Sequence, residues 1–447
     1  MEKKWGKMTI EERQESRLNQ WLSGQNIQFV GPEAKAAYEA RITRLKDAVQ
    51  LKKVPDRVPV FPFFTFMPVT LYGATPGEVM YDGKKLVSIW ERYLADYEPD
   101  FYISPALVMH GPLLEKLGYK LYKWPGHNIP GRYPYQCIEE EYMKPEEYEA
   151  LIEDPSDFWL RSYLPRICEA VGSLRNLLPL TGIVELPVLG PHLITLGLPE
   201  VQKTLSDLME VGRVAIEWGG HIMAFEKEAQ EKGYVNGAGG FTKAPYDVLG
   251  DTLRGTQGIM MDIYRNPDLL TKAMERLTPL MIKLGLGGPM QSGNPIVFIP
   301  LHKGADGFMS DGQFKTFYWP SLREVILGLI EEGCIPLLFA EGGYNSRLPY
   351  LKELPKGHCI WMFDRTDMVK AKEVVGDTTC IAGNIPVSKI LSGTPEEIRR
   401  LCKELIDGAG RNGGYIMTCG CSMDEAKPDT LHAMIDFTKE YGVYRRE

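Results

Sequence analysis

Short runs of apolar, β-branched or aromatic residues recur along the chain, and each one ends in a turn or a polar residue. Several lack the alternation of polar and apolar positions, which is typical of strands buried on both faces within a parallel sheet. These runs predict eight strands: RVPVFPF (57–63), DFYIS (100–104), GIVELPVLG (182–190), IVFIPLH (296–302), CIPLLFAE (334–341), HCIWMFD (358–364), TTCIAGN (378–384) and GYIMTC (414–419).

Helical patterns lie between the runs. The stretch 310–333 begins at Ser310 or Asp311 as a helix cap, and the stretch 394–410 has Thr394 as cap with Pro395 at the first helical position. Alternation of strand and helix indicates βαβ units, and eight strands favour a closed (β/α)₈ TIM barrel over an open sheet. The fold class predicted is therefore α/β, with an N-terminal helical extension.

The chain divides into two predicted parts. Residues 1–50 are interpreted as the helical extension, and residues 51–447 as the barrel. The stretch 123–158 is too long for an ordinary loop and is rich in Pro, Gly and Tyr, so we interpret it as an insertion over the barrel mouth. The glycine-containing stretch 237–255 is interpreted as a second mouth loop.

Composition excludes some classes of function. The 447 residues are 44% hydrophobic and 25% charged, with a net charge of −8 and no basic cluster interleaved with aromatics, which argues against nucleic acid as a partner. The polar N-terminus has no apolar core typical of a secretory signal, and no apolar run approaches the length of a membrane span. We expect a cytoplasmic protein whose eight cysteines are reduced.

Polar residues at strand ends are the first candidates for chemistry, because a (β/α)₈ barrel gathers its active site at the carboxyl ends of its strands. A carboxylate at the end of a buried strand is costly unless it is paired or binds a metal. The alternatives are an ion pair of Glu341 with Arg347, a structural hydrogen bond for His302 and a helix cap for Asp364. The strand-end candidates are His192, His302, Glu341, Asp364, Asn384, Cys419 and Cys421.

The two cysteines at the last strand end are separated by one glycine. That spacing is too tight for a relaxed disulfide, and the second cysteine pair of a zinc finger is absent. Two packed thiols are the alternative to a functional site. Position favours Cys421 as functional and Cys419 as packing, because Gly420 lets the backbone turn toward the pocket.

Several segments resemble the uroporphyrinogen decarboxylase superfamily, and their order and spacing carry the resemblance from about residue 50 to the end. PDRVPVFPF (55–63) is similar to the first strand of that superfamily, and GPHLITLGLPEV (190–201) to its third-strand glycine turn. GFMSDGQFKTFYWPSLREVI (307–326) resembles one of its helices, and 363–398 resembles a late strand–helix–strand segment with its GN and GTPEE motifs. The resemblance implies a (β/α)₈ barrel.

The superfamily contains cofactor-free decarboxylases and cobalamin-dependent methyltransferases, and this chain is more similar to the methyltransferases. The decarboxylases carry an arginine-rich loop after the first strand, where this chain reads FPFFTFMPVTLYG (61–73) without Arg or Lys. CGCS (419–422) stands where methyltransferases have a zinc-binding cysteine, which maps to Cys421. FAEG (339–342) stands where they have H-x-C-G, so Glu341 replaces a cysteine.

The resemblance implies a methyltransferase that moves a methyl group between a small methylated substrate and a corrinoid partner protein. Cobalamin would be carried by that separate protein, since the chain has no D-x-H-x-x-G run. The alternatives are a cofactor-free decarboxylase of uroporphyrinogen or a related carboxylate, and a non-catalytic ligand-binding barrel. The predicted roles are catalysis by Glu341, His302 and Asp364, zinc binding by His302, Glu341 and Cys421, and substrate binding by Phe63, Phe64, Phe66, His192, Tyr344 and Asn384.

Overall fold

A parallel sheet forms the centre of the molecule in the computed structural model, which describes residues 4–444. Its strands are hydrogen-bonded in chain order, each parallel to the next. The five strands from Ile296 onward are almost wholly buried, as the unbroken apolar runs predict for a sheet covered on both faces. The six strands are Gly240–Phe241, Ile296–Leu301, Ile335–Ala340, Ile360–Phe363, Cys380–Ile385 and Tyr415–Cys419.

Two further extended segments close this sheet into a barrel. Val60 forms a parallel bridge with Met417 of the last strand, and its carbonyl accepts a hydrogen bond from Asp100 N at 3.1 Å. Tyr102 in turn forms a parallel bridge with Asn236, just before the first regular strand. The order of neighbouring strands therefore runs from the last strand through these two segments back to the first strand of the sheet. The (β/α)₈ barrel predicted from the sequence is confirmed.

The prediction that 182–190 is the third strand is wrong. That position in the barrel is taken by the segment around Asn236 and by Gly240–Phe241, whereas residues Leu186–Leu193 form an α-helix with no buried side chain. An apolar run alone does not separate strand from helix. The true strand has no apolar signature because its glycines are needed for packing: a Cβ on Gly239 would lie 2.1 Å from the carbonyl oxygen of Asn294.

Helices surround the barrel, and two of them cover the end at which the strands begin. Helices Ile10–Ser23 and Pro32–Gln50 form the N-terminal extension, which packs near Gly333 and Gly357 at the amino ends of two strands. Among residues 4–444, the remaining α-helices of six or more residues are Pro76–Tyr81, Gly83–Tyr97, Gly111–Leu117, Tyr148–Glu153, Leu186–Leu193, Pro199–Glu231, Gly255–Arg265, Pro267–Ser292, Trp319–Glu331, Met368–Val375, Val387–Ser392, Pro395–Gly408 and Pro428–Tyr441. None of the helices in residues 4–444 combines the length and apolar character that crossing a bilayer requires.

The stretch 123–158 contains most of a second, small sheet on the mouth side. In this sheet Tyr122–Pro125 pairs with Asn128–Ile129 and with Gln136–Cys137. Glu139, just after the sheet, accepts a hydrogen bond from Thr256 N at 2.9 Å. The stretch 237–255, interpreted from the sequence as a second mouth loop, contains a barrel strand and then a helical turn at the mouth.

Candidate active site

A histidine held by a carboxylate lies at the barrel mouth. His302 directly follows strand Ile296–Leu301, and its Nδ1 donates to Asp251 Oδ2 at 2.6 Å. Burial of the His302 ring lowers its pKa, but the hydrogen bond and negative charge of Asp251 outweigh burial and raise the pKa above the ordinary value. Because Asp251 occupies Nδ1, the Nε2 atom of His302 is left to face the mouth.

A second, fully buried carboxylate fixes the backbone around this histidine. Asp247 accepts hydrogen bonds from the backbone N–H of His302 at 3.0 Å and of Lys303 at 3.1 Å, and from the Tyr318 hydroxyl at 2.7 Å. Burial, and then the charge of Asp251, raise the pKa of Asp247. With three donors directed at it, Asp247 acts as the structural anchor of the strand end.

Two lysines reach the mouth, and both are engaged in ion pairs. Lys243 Nζ lies 2.5 Å from Asp251 Oδ2, and Lys303 Nζ lies 3.1 Å from Asp251 Oδ1 and 3.3 Å from Glu139. Burial opposes ionisation of Asp251, but its bonds to His302 and Lys243 hold the pKa of that carboxyl below its usual range. Both lysine ammonium groups are thus paired with carboxylates of the protein itself.

Glu341 follows strand Ile335–Ala340, with its Oε1 3.9 Å from His302 Nε2. Burial is the main cause that raises the pKa of Glu341, with Asp247 and Asp251 adding to it. The ion pair with Arg347 that the sequence left open is absent, because that guanidinium lies 2.9 Å from Asp311. Glu341 therefore has a carboxyl that is easier to protonate than usual and that faces the mouth.

Asp364, Asn384 and Cys421 line the neighbouring part of the mouth. Asp364 Oδ2 accepts from Gly342 N at 3.0 Å, which links two adjacent strand ends. The Asn384 amide donates to the carbonyl oxygens of Asp364 and Thr366, so it holds this loop rather than pointing free. Cys421 is exposed to solvent as a residue. Partial burial of its thiol is the main cause that raises the thiol pKa, and the negative charges of Glu341 and Asp364 add to it.

The other cysteine of the pair is buried beneath the mouth. Cys419 Sγ donates to the carbonyl oxygen of Phe63 at 3.1 Å, and burial raises the pKa of its thiol to about 12. Of the two thiols, only that of Cys421 is placed to meet a ligand entering from solvent.

Aromatic rings form the floor below these polar groups. Phe63 lies 5.6 Å from Phe298 and 4.9 Å from Phe339, measured between ring centroids. Phe298 precedes His302 by four residues and Phe339 precedes Glu341 by two, so ring and polar group share one face of each strand. A ligand in the mouth would touch a polar rim and an apolar base.

The remaining residues predicted to bind substrate are packed inside the protein or lie on a helix. Phe64 packs against Trp90 and Tyr93, Phe66 packs against Tyr135 of the small sheet, and Tyr344 is fully buried. His192 lies on helix Leu186–Leu193, with its Nδ1 against the carbonyl oxygen of Val188. Because the third strand is not at 182–190, His192 does not follow a strand end.

A cavity of about 640 Å³ opens beside the cluster. Asp364, Asn384 and Cys421 form its edge toward the mouth, and Leu401 and Leu405 belong to its outer wall. Its volume is in the range of small-molecule sites.

Sequence reasoning missed Lys243, Asp247, Asp251 and Lys303. Asp247 and Asp251 are four residues apart in APYDVLGD (244–251), a spacing that places both on one side of a helical turn. That signal was available, but it gains meaning only once the glycine-rich segment before it is known to be a strand.

Residues 223–441 match the family model described as Uroporphyrinogen decarboxylase (URO-D). Residues 223–441 therefore form a domain of the uroporphyrinogen decarboxylase family, over just under half of the chain. The chain's curated relatives include the uroporphyrinogen decarboxylase of Aromatoleum aromaticum, 26% identical over 45% of this chain and 56% of that protein. That of Coxiella burnetii is 21% identical over 63% of this chain and 76% of that protein. The match thus spans little more than half of the first relative.

A solved structure, that of a methyltransferase from Methanosarcina mazei, shares the fold. It superposes with a TM-score of 0.56 over 89% of this chain and 98% of that one, at 16% sequence identity. Likeness at this identity establishes the fold alone, and leaves the reaction to be argued from the site.

The mouth offers zinc a partial set of donors. Within residues 4–444, no three or more His, Cys, Asp and Glu side chains are gathered closely enough to hold an ion. Ligands of a tetrahedral zinc lie about 3.4 Å apart, given bonds of about 2.1 Å, so His302 Nε2 and Glu341 Oε1 are slightly too far apart at 3.9 Å. Their chemistry fits zinc, since a carboxylate on the far nitrogen is the usual support of a metal-binding histidine.

Proposed function

We propose that this protein is a methyltransferase that works with a corrinoid carried by a separate protein. The observation that carries the proposal is the composition of the mouth: a histidine and a readily protonated carboxyl side by side, above an aromatic floor. Such a site suits a small, largely apolar substrate with one heteroatom that must be protonated as it leaves. The structural relative from Methanosarcina mazei is a methyltransferase, which supports the same branch.

The charge of the mouth argues against decarboxylation of a polycarboxylate. Five carboxylates line or approach it, from Glu139, Asp247, Asp251, Glu341 and Asp364, against two paired lysines, one histidine and Arg365, whose Nε lies 3.7 Å from Asp364 Oδ2. Binding several more carboxylates there would bury like charges together. The segment after the first barrel segment offers no cation in compensation, since 61–73 contains neither Arg nor Lys.

Glu341 is assigned the proton transfer. Burial raises its pKa and so makes the protonated form easier to reach, and that form can donate a proton to the heteroatom while the methyl group passes to the corrinoid. His302 is kept in position by Asp251, and its Nε2 would face the heteroatom of a substrate bound beside Glu341. Zinc, if bound by His302, Glu341 and Cys421, would take the place of the Glu341 proton and polarise the same heteroatom as a Lewis acid.

The test is methyl transfer to free cob(I)alamin from a panel of methoxyaromatics, methylamines and methylthiols. We expect methylcobalamin from at least one donor class, and at least a tenfold loss of rate in His302→Gln and Glu341→Gln. The matched control is Glu440→Gln, an exposed glutamate on the last helix, which should retain the wild-type rate. No transfer from any donor, or equal rates in all four proteins, would overturn the proposal.

A further inference from the structure

Phe241 has an exposed ring although it lies on a strand of the barrel. It is level with Phe298 of the next strand, and the two ring centroids are 6.4 Å apart. Its neighbour Gly240 faces outward, since a Cβ there would lie 2.7 Å from the carbonyl oxygen of Gly285 on a surrounding helix. Successive side chains on a strand point to opposite faces, so the Phe241 ring points into the barrel. Its exposed fraction of 46% shows that the barrel interior is open beside it.

The sequence before Phe241 explains why this space is open. A (β/α)₈ barrel normally fills its interior with side chains, and Phe63 and Phe339 follow that rule, being 5% and 2% exposed. Residues 237–240 read GAGG, so the strand that holds Phe241 places no side chain larger than a methyl group below the ring. The described residues therefore leave almost half of the Phe241 surface uncovered. An uncovered ring inside a barrel, beneath a polar rim, is a surface for a ligand.

Three aromatic rings form a row across adjacent strands. Phe241, Phe298 and Phe339 follow one another at centroid distances of 6.4 and 6.3 Å, with interplanar angles of 33° and 19°. The row is buried at Phe339, half-buried at Phe298 and most exposed at Phe241. Rings prefer to bind other rings in offset or tilted arrangements, and such a pair is more stable than its buried area alone explains. A planar ring is therefore the ligand that extends this row.

The height of the row below the polar rim sets the size of the ligand. Phe298 precedes His302 by four residues, which is about 13 Å along a strand and about 11 Å in height at the tilt of a (β/α)₈ barrel. A ligand ring packed about 5 Å from the row leaves about 6 Å up to His302. Half of a benzene ring, one heteroatom and a hydrogen bond of about 3 Å fill that interval. A single ring with the heteroatom attached directly to it fits, and a second ring in line does not.

We propose that the methyl donor has one aromatic ring, with the methyl group on a heteroatom bonded directly to that ring, and that Phe241 selects it. This inference rests on the methyl transfer proposed above. The bond between heteroatom and methyl carbon breaks with its electron pair left on the heteroatom, which takes the Glu341 proton, while cobalt(I) supplies the pair for the new bond to the methyl group. For an ether the product is a phenol with a pKa of about 10, as in tyrosine. Its anion therefore leaves more readily than that of an aliphatic alcohol.

Binding of two ethers in the absence of any corrinoid tests the ring subsite by itself. Methoxybenzene and methoxycyclohexane share the methyl ether and the six-membered ring, but only the first is planar. Isothermal titration calorimetry of the wild-type protein should give a dissociation constant at least about threefold lower for methoxybenzene.

Substitution of Phe241 should remove this preference. Phe241→Leu keeps an apolar side chain without a ring, so it should bring the two dissociation constants within about twofold of each other, and Phe241→Trp should restore the preference. The matched control is Phe437→Leu, at a half-buried ring stacked on Tyr441 of the last helix, which should retain the wild-type preference.

Methyl transfer to cob(I)alamin separates the subsite from the reaction. With methoxybenzene as donor, Phe241→Leu should raise KM at least about threefold and change kcat less. Equal binding of the two ethers by wild type, or a preference unchanged in Phe241→Leu, would overturn the proposal. A preference that depends on Phe241 without any methyl transfer would support the ring subsite and overturn the reaction. Faster transfer from methylamine than from methoxybenzene, unchanged in Phe241→Leu, would support the reaction and overturn the aromatic donor.

Discussion

Replacing Asp251 with asparagine keeps the shape of the side chain but removes a negative charge that three neighbours share. His302 Nδ1 donates to this carboxylate at 2.6 Å, and the ammonium groups of Lys243 and Lys303 lie 2.5 and 3.1 Å away. The asparagine cannot neutralise either lysine. We expect both a loss of stability and a fall in the pKa of His302.

The burial of each partner sets the magnitude. Breaking a fully buried charge pair costs about 3–5 kcal/mol, whereas an exposed pair contributes about 0–1 kcal/mol. Asp251 and Lys243 are each 18% exposed and Lys303 is 8% exposed, so the network lies nearer the buried limit. We therefore expect Asp251→Asn to lower the free energy of unfolding by about 2–4 kcal/mol.

Urea unfolding of the metal-free protein measures the stability, and NMR titration of the histidine rings measures the pKa of His302. The matched control is Asp436→Asn, which removes a carboxylate 3.2 Å from His432 in a solvent-exposed pair and should cost less than about 0.5 kcal/mol. Equal losses in the two variants, or an unchanged His302 titration in Asp251→Asn, would refute the reasoning.

Three further predictions concern the same region. The pKa of His302 is raised on folding from 6.5, so its contribution to stability should be present below pH 6.5 and disappear as pH rises through the folded value, a slope that His302→Gln should remove in urea unfolding at several pH values. Cys421→Ser should lower zinc content and methyl transfer, whereas Cys419→Ser should leave zinc content unchanged; equal loss from both, or no loss from Cys421→Ser, would leave the pair as packing. Phe63→Ala should cost about 3–5 kcal/mol because its ring is buried between two others, while Phe241→Ala, at a ring 46% exposed, should cost much less on the same urea curves.

Most of the barrel could be predicted because its strands are buried on both faces. The runs that end at His302 and Glu341, for example, are apolar throughout, and such a run can be recognised in the sequence alone. The third strand could not be found in this way, because close approach of Asn294 and Gly285 requires glycine at Gly239 and Gly240. The apolar run at 182–190 has the pattern of a strand instead, although most of its side chains face solvent.

The site residues could be predicted only where the strand that precedes them could be predicted. Residues directly after a recognised strand, such as His302 and Glu341, are brought together by the barrel. Asp251 was not predicted, because its place at the mouth depends on the strand that was missed. The engagement of Asn384 with backbone carbonyls is likewise a property of the folded loop, which no spacing in the sequence encodes.

One comparison tests the central claim most directly: the same wild-type preparation assayed in parallel for methyl transfer to cob(I)alamin and for conversion of uroporphyrinogen to coproporphyrinogen. The acidic mouth and its paired lysines predict methylcobalamin from a small methylated donor and no coproporphyrinogen. Coproporphyrinogen formation without methyl transfer would contradict the account and assign the barrel to decarboxylation.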